Sequence, residues 1–399
     1  MEKQMYLLRG RKVEDRMNKK GIGVLLVGAM LLILSGCGGE KKADVIKIGA
    51  NLEMTGGSAS FGSSSTNGAK LALKEFNDKG GFKGKKVELV VADNKSEAAE
   101  SAAAMQKLVQ DGVVAVIAPI SSSSVIAAAQ IGHEAKIPAI SPTASNVKVT
   151  VDEKGQVRPY MFRASFIDPF QGSVMAAFAQ KNLQAKTAAI YIDNSSDYAK
   201  GLAKYFEEEF VKAGGVIVAK EAYLQKDTDF KATLTKIKGV NPGVVFIPGY
   251  YQEVGLVIKQ ARDLGMMMPF LGGDGWDSAN LVNIAGADNL AGNYYCNLYS
   301  PEDKDSKVIS FVEMYQKEYG QVPDSFAVLS YDATRMILEA MVRADSADPV
   351  KIRDEMEKTK DFAGVSGSIT LNATHDAIKG AVIVGFKEGK ASFVEKVAP

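Results

Sequence analysis

Two clusters of small hydroxylated residues stand close together in the chain: four consecutive serines at 121–124, then Ser141, Thr143 and Ser145. Hydroxyls beside loose backbone N–H groups at a helix N-terminus suit an anion such as a carboxylate. The alternative, that the serines only cap helices, stays open at this level. Neither cluster has the partners that turn a serine into a nucleophile. A hydrolase wants a Gly-x-Ser-x-Gly elbow and a histidine base. The stretch Gly364-Val365-Ser366-Gly367-Ser368 does not match that elbow, and the chain holds only His133 and His375. Two histidines also argue against a histidine metal cluster, and both read as structural or solvent-facing. Residues 80–86 are rich in Gly and Lys but follow a helix and precede a strand, the reverse of a phosphate-binding loop. The chemistry on offer is non-covalent binding, with no enzyme, metal or cofactor expected.

The elements that must position these hydroxyls are legible around them. Residues 113–118 and 137–140 are short, Val- and Ile-rich runs that read as buried parallel strands. Between them, residues 123–135 have the length and alanine content of a helix. This βαβ unit carries its hydroxyls at the C-terminal ends of its strands, the edge where open α/β sheets bind ligands. Strand and helix alternate on both sides of it, from a first strand at 45–51 to a helix at 278–285. The alternation breaks between 150 and 165 and again at 294–299, which we read as crossings between lobes. A chain of 399 residues is too long for one ordinary core. The expectation is therefore α/β: two doubly wound three-layer α/β/α lobes joined by a hinge with several crossings. Lobe 1 takes residues 44–163 plus 297–360, and lobe 2 takes 164–296 plus 361–399.

The N-terminus reads as a leader. Lys19 and Lys20 precede fifteen uncharged residues, 21–35, whose end overlaps the motif Leu34-Ser35-Gly36-Cys37. That run is shorter than the ~20 apolar residues that span a bilayer, so 1–36 is expected to be a signal peptide. Leu-Ser-Gly-Cys resembles the bacterial lipobox, which makes Cys37 the expected site of lipidation and residues 37–43 a tether. Residues 1–16 carry five basic and three acidic side chains, odd for a signal n-region, whereas Met17-Asn18-Lys19-Lys20 is a normal start. Without residues 1–36 the chain has 41 basic and 44 acidic side chains, a formal charge of −3. Nothing there favours nucleic acid. With Cys37 taken up by lipidation, Cys296 is the one cysteine left, so no internal disulfide is expected, and we expect a monomer.

Further motifs are spread along the chain: Ile46-Lys47-Ile48-Gly49 with Thr55-Gly56, Asn77-Asp78-Lys79-Gly80-Gly81-Phe82-Lys83-Gly84, Tyr198-Ala199-Lys200-Gly201, Gly249-Tyr250, and Gly272-Gly273-Asp274-Gly275. In order and spacing, together with the serine loops, they resemble the leucine/isoleucine/valine-binding family of type I periplasmic substrate-binding proteins, which serve ABC importers. The resemblance covers about residues 44–390. It implies an extracytoplasmic lipoprotein that binds a small neutral L-amino acid, with leucine, isoleucine or valine expected. The partners implied are the free amino acid, ABC transporter permease subunits, and the cell membrane through the lipid anchor alone. A sensor component for amino acids or amides, feeding a separate signalling protein, is the alternative.

By the same resemblance, Ser121, Thr143 and Ser145 receive the α-carboxylate and Asp274 holds the α-ammonium. Tyr198 and Tyr250 match ligand-contacting tyrosines of lobe 2, and Phe61 and Phe326 match aromatic positions of lobe 1. Trp276, the only tryptophan, either packs under its loop or touches ligand. Three departures from the family pattern stand out. Asp274 replaces a frequent Glu, Phe61 replaces a frequent Tyr, and Lys95 and Ile120 lie near the places where some relatives carry a disulfide.

Overall fold

The structure, a computed structural model, describes residues 45–399. The expected leader at 1–36, Cys37 and the tether at 37–43 lie outside the described residues. Five strands form the first sheet: β1 (Ile46–Leu52), β2 (Val87–Asp93), β3 (Ala115–Ile117), β4 (Ala139–Ser141) and β5 (Met161–Arg163). They run in the order β2-β1-β3-β4-β5, with every pairing parallel. The central β3 and β4 are buried throughout, as helices on both faces demand of an all-parallel sheet. Those helices are α1 (Ala59–Asp78), α2 (Ala98–Gln110) and α3 (Ser122–Ala135).

The second lobe repeats the plan. Helices α4 (Asp168–Lys181), α5 (Asp197–Lys212), α6 (Lys231–Gly239), α7 (Tyr251–Asp263), α8 (Ala279–Ala285) and α9 (Ala287–Leu290) alternate with or follow its strands. Strands β6 (Thr187–Asp193), β7 (Val216–Tyr223), β8 (Val244–Phe246), β9 (Phe270–Gly272) and β10 (Tyr294–Asn297) are again parallel, in the order β7-β6-β8-β9-β10. This is the first sheet's order. In such sheets the ligand edge is at the C-terminal ends of the strands.

The chain then returns to the first sheet with α10 (Ser306–Tyr319), α11 (Ser325–Arg343) and α12 (Pro349–Glu357). Helix α11 is buried almost all round and lies against α1 and β3. Gly68 of α1 makes that approach possible, because a Cβ there would run into the Ala327 carbonyl. A small sheet follows, β11 (Phe362–Gly364), β12 (Gly367–Leu371) and β13 (Ala377–Ile378), and then the hairpin β14 (Ala381–Lys387) and β15 (Lys390–Val397). The hairpin extends the second sheet antiparallel beside β10.

Two expected boundaries move. Residues 294–299 are not a crossing as a whole: β10 is an interior strand of the second sheet, and the crossing starts after Asn297. Residues 362–378, expected in lobe 2, are bonded to lobe 1. Asp332 of α11 accepts the N–H groups of Val365 and Ser366, both at 2.9 Å. Asp376 takes Nε of the buried Arg163 at 2.7 Å, and His375 stacks on Phe162. We therefore propose that the boundary falls after Ile378, where the chain enters β14. Among the described residues no helix is long and apolar enough to cross a membrane.

Candidate functional site

The first-lobe wall is built on the ends of β1, β3 and β4. Glu53 follows β1 directly and is fully buried. Its carboxylate accepts the backbone N–H of Ile120 at 3.1 Å and of Ser121 at 3.0 Å, and the Ser121 hydroxyl at 3.0 Å. Burial pushes this carboxyl up, while those three donors pull it back. A buried acid thus consumes the donors just ahead of α3, and Ser121 is turned to it. Ser122, the first residue of α3, faces the cleft instead.

The loop after β4 is braced from behind. The Ser141 hydroxyl donates to the Pro119 carbonyl and accepts the Ala144 N–H, both at 3.0 Å. Arg163 Nη1 donates to the carbonyls of Ala144 and Asn146 at 2.9 Å each. This bracing leaves Thr143 Oγ1 and Ser145 Oγ buried with no hydrogen-bond partner in the protein. Buried polar atoms are nearly always paired. Two orphan hydroxyls on one loop therefore point to a polar ligand.

The second-lobe wall takes its side chains from the ends of β6, β8 and β9. Tyr198 sits in the first turn of α5, and Tyr250 immediately precedes α7. Their rings stack, with centroids 5.3 Å apart. Asp274 opens the turn after β9, where its N–H donates to Gln171 Oε1 at 2.8 Å. The Gly275 N–H donates to the Tyr198 hydroxyl at 3.2 Å. Gly273 is required, since a Cβ would collide with Gln171 Oε1 and the Tyr198 hydroxyl. Asp274 Oδ1 has no partner. Burial pushes its carboxyl up to about 6, against hydrogen bonding from Gln171 and Tyr198.

Between the walls lies a narrow space of about 10 Å³. That is room for about one water, so the two walls are closed on one another and a larger occupant requires them to part. Of the residues expected from the sequence, Thr143, Ser145, Tyr198, Tyr250, Asp274 and Phe326 line it. Ile120, Ser122, Ala144 and Gly275 complete the lining. Three expected residues stand outside it: Ser121, Phe61 and Trp276. Phe61 is fully buried behind the lining, stacked on Phe326 at 3.9 Å and edge-on to Tyr250 at 6.0 Å. Trp276 packs under its own loop and donates Nε1–H to the Ile247 carbonyl at 3.1 Å.

The two lobes also touch around this space. Ser123 Oγ donates to Asp197 Oδ2 at 2.9 Å and accepts the Asp197 N–H at 3.0 Å, and Asn146 Nδ2 donates to the Asp197 carbonyl at 2.7 Å. On another side the Ser325 N–H donates to Asp277 Oδ2 at 2.8 Å. Among the described residues no three His, Cys, Asp or Glu side chains are grouped to hold a metal.

Sequence reasoning missed Glu53, Ser122, Asp168 and Gln171. The signal for Glu53 is an acid placed between Leu52 and Met54 at the end of an apolar strand. The signal for Asp168 and Gln171 is the acid-and-proline helix start Asp168-Pro169.

Comparison with known proteins agrees with the two-lobed architecture. A family model described as periplasmic binding protein matches residues 45–391. Leu/Ile/Val-binding protein homolog 1 of Brucella abortus is 30% identical over 367 residues, 92% of this chain and 96% of that one. The leucine-binding protein LivK of Thermotoga maritima superposes with a TM-score of 0.84 at 36% identity, covering 89% of this chain and 99% of that chain. The branched-chain amino acid transporter substrate-binding protein LivJ of Streptococcus pneumoniae, solved with isoleucine, gives 0.83 at 38% identity, covering 89% and 100%. This chain belongs to the periplasmic binding protein family, the non-enzymatic substrate-binding components of transport systems.

Proposed function

We propose that this protein binds a small neutral L-amino acid, with leucine, isoleucine and valine as its ligands, between its two lobes and delivers it to an ABC importer. One observation carries the reading. Unpartnered, buried Thr143 Oγ1 and Ser145 Oγ on one wall oppose an unpartnered, buried Asp274 Oδ1 on the other. Hydroxyl donors suit a carboxylate and a carboxylate suits an ammonium, so the pair reads as a receptor for an amino acid's two charged ends. Each hydrogen bond to a charged group is worth about 1.5–3 kcal/mol, and a handful offsets desolvation of the zwitterion. The rest of the lining, with Ile120, Phe326, Tyr198 and Tyr250 as its large side chains, has no charge to match an ionic side chain. That similar proteins are solved with isoleucine or named for leucine supports the same reading.

The ligand binds the closed arrangement, in which α3 and α5 meet through Ser123 and Asp197, and shifts the population towards it. The protein works outside the cytoplasm, tethered by lipid at Cys37. A Cys37→Ala variant should leave the membrane fraction, and its full retention there would reject the anchor. Titration calorimetry against the twenty amino acids tests the ligand. Leucine, isoleucine and valine should bind within a couple of orders of magnitude of each other, because one methylene is worth only about 1–3 kcal/mol. Tighter binding of arginine or glutamate would overturn the assignment.

A further inference from the structure

The segments that join the two lobes border a second and much larger space, of about 950 Å³, which shares no lining residue with the amino-acid cleft. That volume lies within the ~300–1,000 Å³ of small-molecule sites. Residues 298–300, in the crossing after β10, form part of its lining, and so do Lys379 and Gly380, between β13 and β14. Strand β12 and the end of β15 also line it. Leu298, Val308, Val365 and Val382, all buried, give it an apolar side.

A buried cation sits among these groups. Lys379 is only 5% exposed, and lysine is almost never buried without a paired acid. Its Nζ donates to the Ser366 hydroxyl, whose own O–H is given to Asp332 Oδ2 at 2.6 Å. Asp332 also accepts the N–H groups of Val365 and Ser366, so it reaches Lys379 only through that serine. Among the described residues no carboxylate bonds Lys379 directly. An ammonium carries three donors, and Ser366 takes one. Burial holds this amine down to about 8, with Asp332 pulling it back up. Tyr299, on the crossing after β10, lines the same space, and its buried hydroxyl has no partner either. The other charged side chains of the lining are exposed or half-exposed. Lys396 pairs with Asp303 at 2.9 Å, Asp305 caps α10, and Asp361 accepts the Thr370 hydroxyl at 3.3 Å.

We propose that this space is a second binding site, for a small monocarboxylate with an apolar body. The carboxylate pairs with the Lys379 ammonium, and the hydrocarbon lies against Leu298, Val308, Val365 and Val382. Binding is non-covalent and reversible. A buried cation thereby gains the anion that the protein does not supply. The occupant touches both segments that lead between the lobes, away from the cleft that receives the amino acid. The site goes beyond the amino-acid reading and does not rest on it.

Octanoate tests this, titrated by calorimetry into the full chain with and without saturating leucine. Saturable binding at one site is expected in both titrations. Octanamide, with the same body and no charge, should bind at least about tenfold more weakly. Lys379→Met keeps the length of the side chain and removes its charge, so octanoate affinity should fall by at least about tenfold, to the level of octanamide. Leucine affinity of that variant should stay within about twofold, because the two sites share no residues. Should Lys379→Met not fold, Ser368→Trp, at an exposed lining position, should block octanoate and octanamide alike. The proposal is overturned by the absence of saturable octanoate binding, by octanamide binding as tightly, or by Lys379→Met binding octanoate unchanged. Octanoate binding that leucine abolishes would place it in the amino-acid cleft and overturn the second site too. Failure of leucine to bind would overturn the amino-acid reading alone, since the titrations without leucine still read this site.

Discussion

Two buried acids close to the cleft meet opposite fates. Glu53, on the first lobe, is satisfied three times over by Ile120 N–H, Ser121 N–H and the Ser121 hydroxyl. Asp274, on the second, keeps an oxygen with no partner at all. The first is structural: it joins the end of β1 to the start of α3 and leaves the first wall presenting neutral donors. The second confers negative character on the opposite wall. The cleft is therefore polarised from lobe to lobe, although the two sheets share one strand order. Shared topology supplies the edge, and the local accounting of donors decides what each edge can receive.

Breaking the negative wall should have the largest effect. Asp274→Ala leaves the ligand's ammonium buried and unpaired, at a cost of about 3–5 kcal/mol. Leucine affinity should fall by at least about a hundredfold in a calorimetric titration, and an unchanged affinity would remove Asp274 from the site. The neutral wall should be more forgiving. Thr143→Ala and Ser145→Ala each delete one hydrogen bond to a charged group, about 1.5–3 kcal/mol, so each should weaken leucine by about tenfold to a hundredfold. Losses from Thr143→Ala or Ser145→Ala as large as that from Asp274→Ala would contradict the division between the walls. The smallest effect on binding should come from Trp276→Phe, which lies outside the lining. It should change leucine affinity by less than about twofold while lowering the melting temperature, because a buried indole and its bond to Ile247 are lost.

Much of this was legible in the chain. The βαβ unit around residues 113–140 announces itself by apolar runs that end in hydroxyls, and the structure builds it there as β3, α3 and β4. The family resemblance points to Thr143, Ser145, Tyr198, Tyr250, Asp274 and Phe326, and the fold brings these six around one space. What could not be read was direction. In a run of four serines, which hydroxyl faces the cleft depends on a single backbone step. Ser121 is extended with φ −81° and ψ 137°, helical geometry starts at Ser122, and nothing in Ser-Ser-Ser-Ser marks that point. Second-layer groups are equally silent. Glu53 and Asp168 are separated from the site residues they touch by 68 and 23 positions, so only the folded chain shows the first consuming donors and the second going without. The boundary we propose after Ile378, in place of the one expected at 361, was illegible for a similar reason, since Asp332 and Arg163 reach across the chain to bond residues around β11–β13.

The polarised cleft is tested most directly by cutting the ligand rather than the protein. Leucine can be compared with 4-methylpentanoate, which keeps its carboxylate and side chain but lacks the ammonium, and with 3-methylbutylamine, which lacks the carboxylate. Competition titrations at pH 8 should show both analogues at least about a hundredfold weaker than leucine, since each leaves one wall's buried polar atoms unpaired. In Asp274→Ala the advantage of leucine over 4-methylpentanoate should largely vanish. Binding of 4-methylpentanoate to the natural protein within tenfold of leucine would contradict the assignment of the second wall to an ammonium.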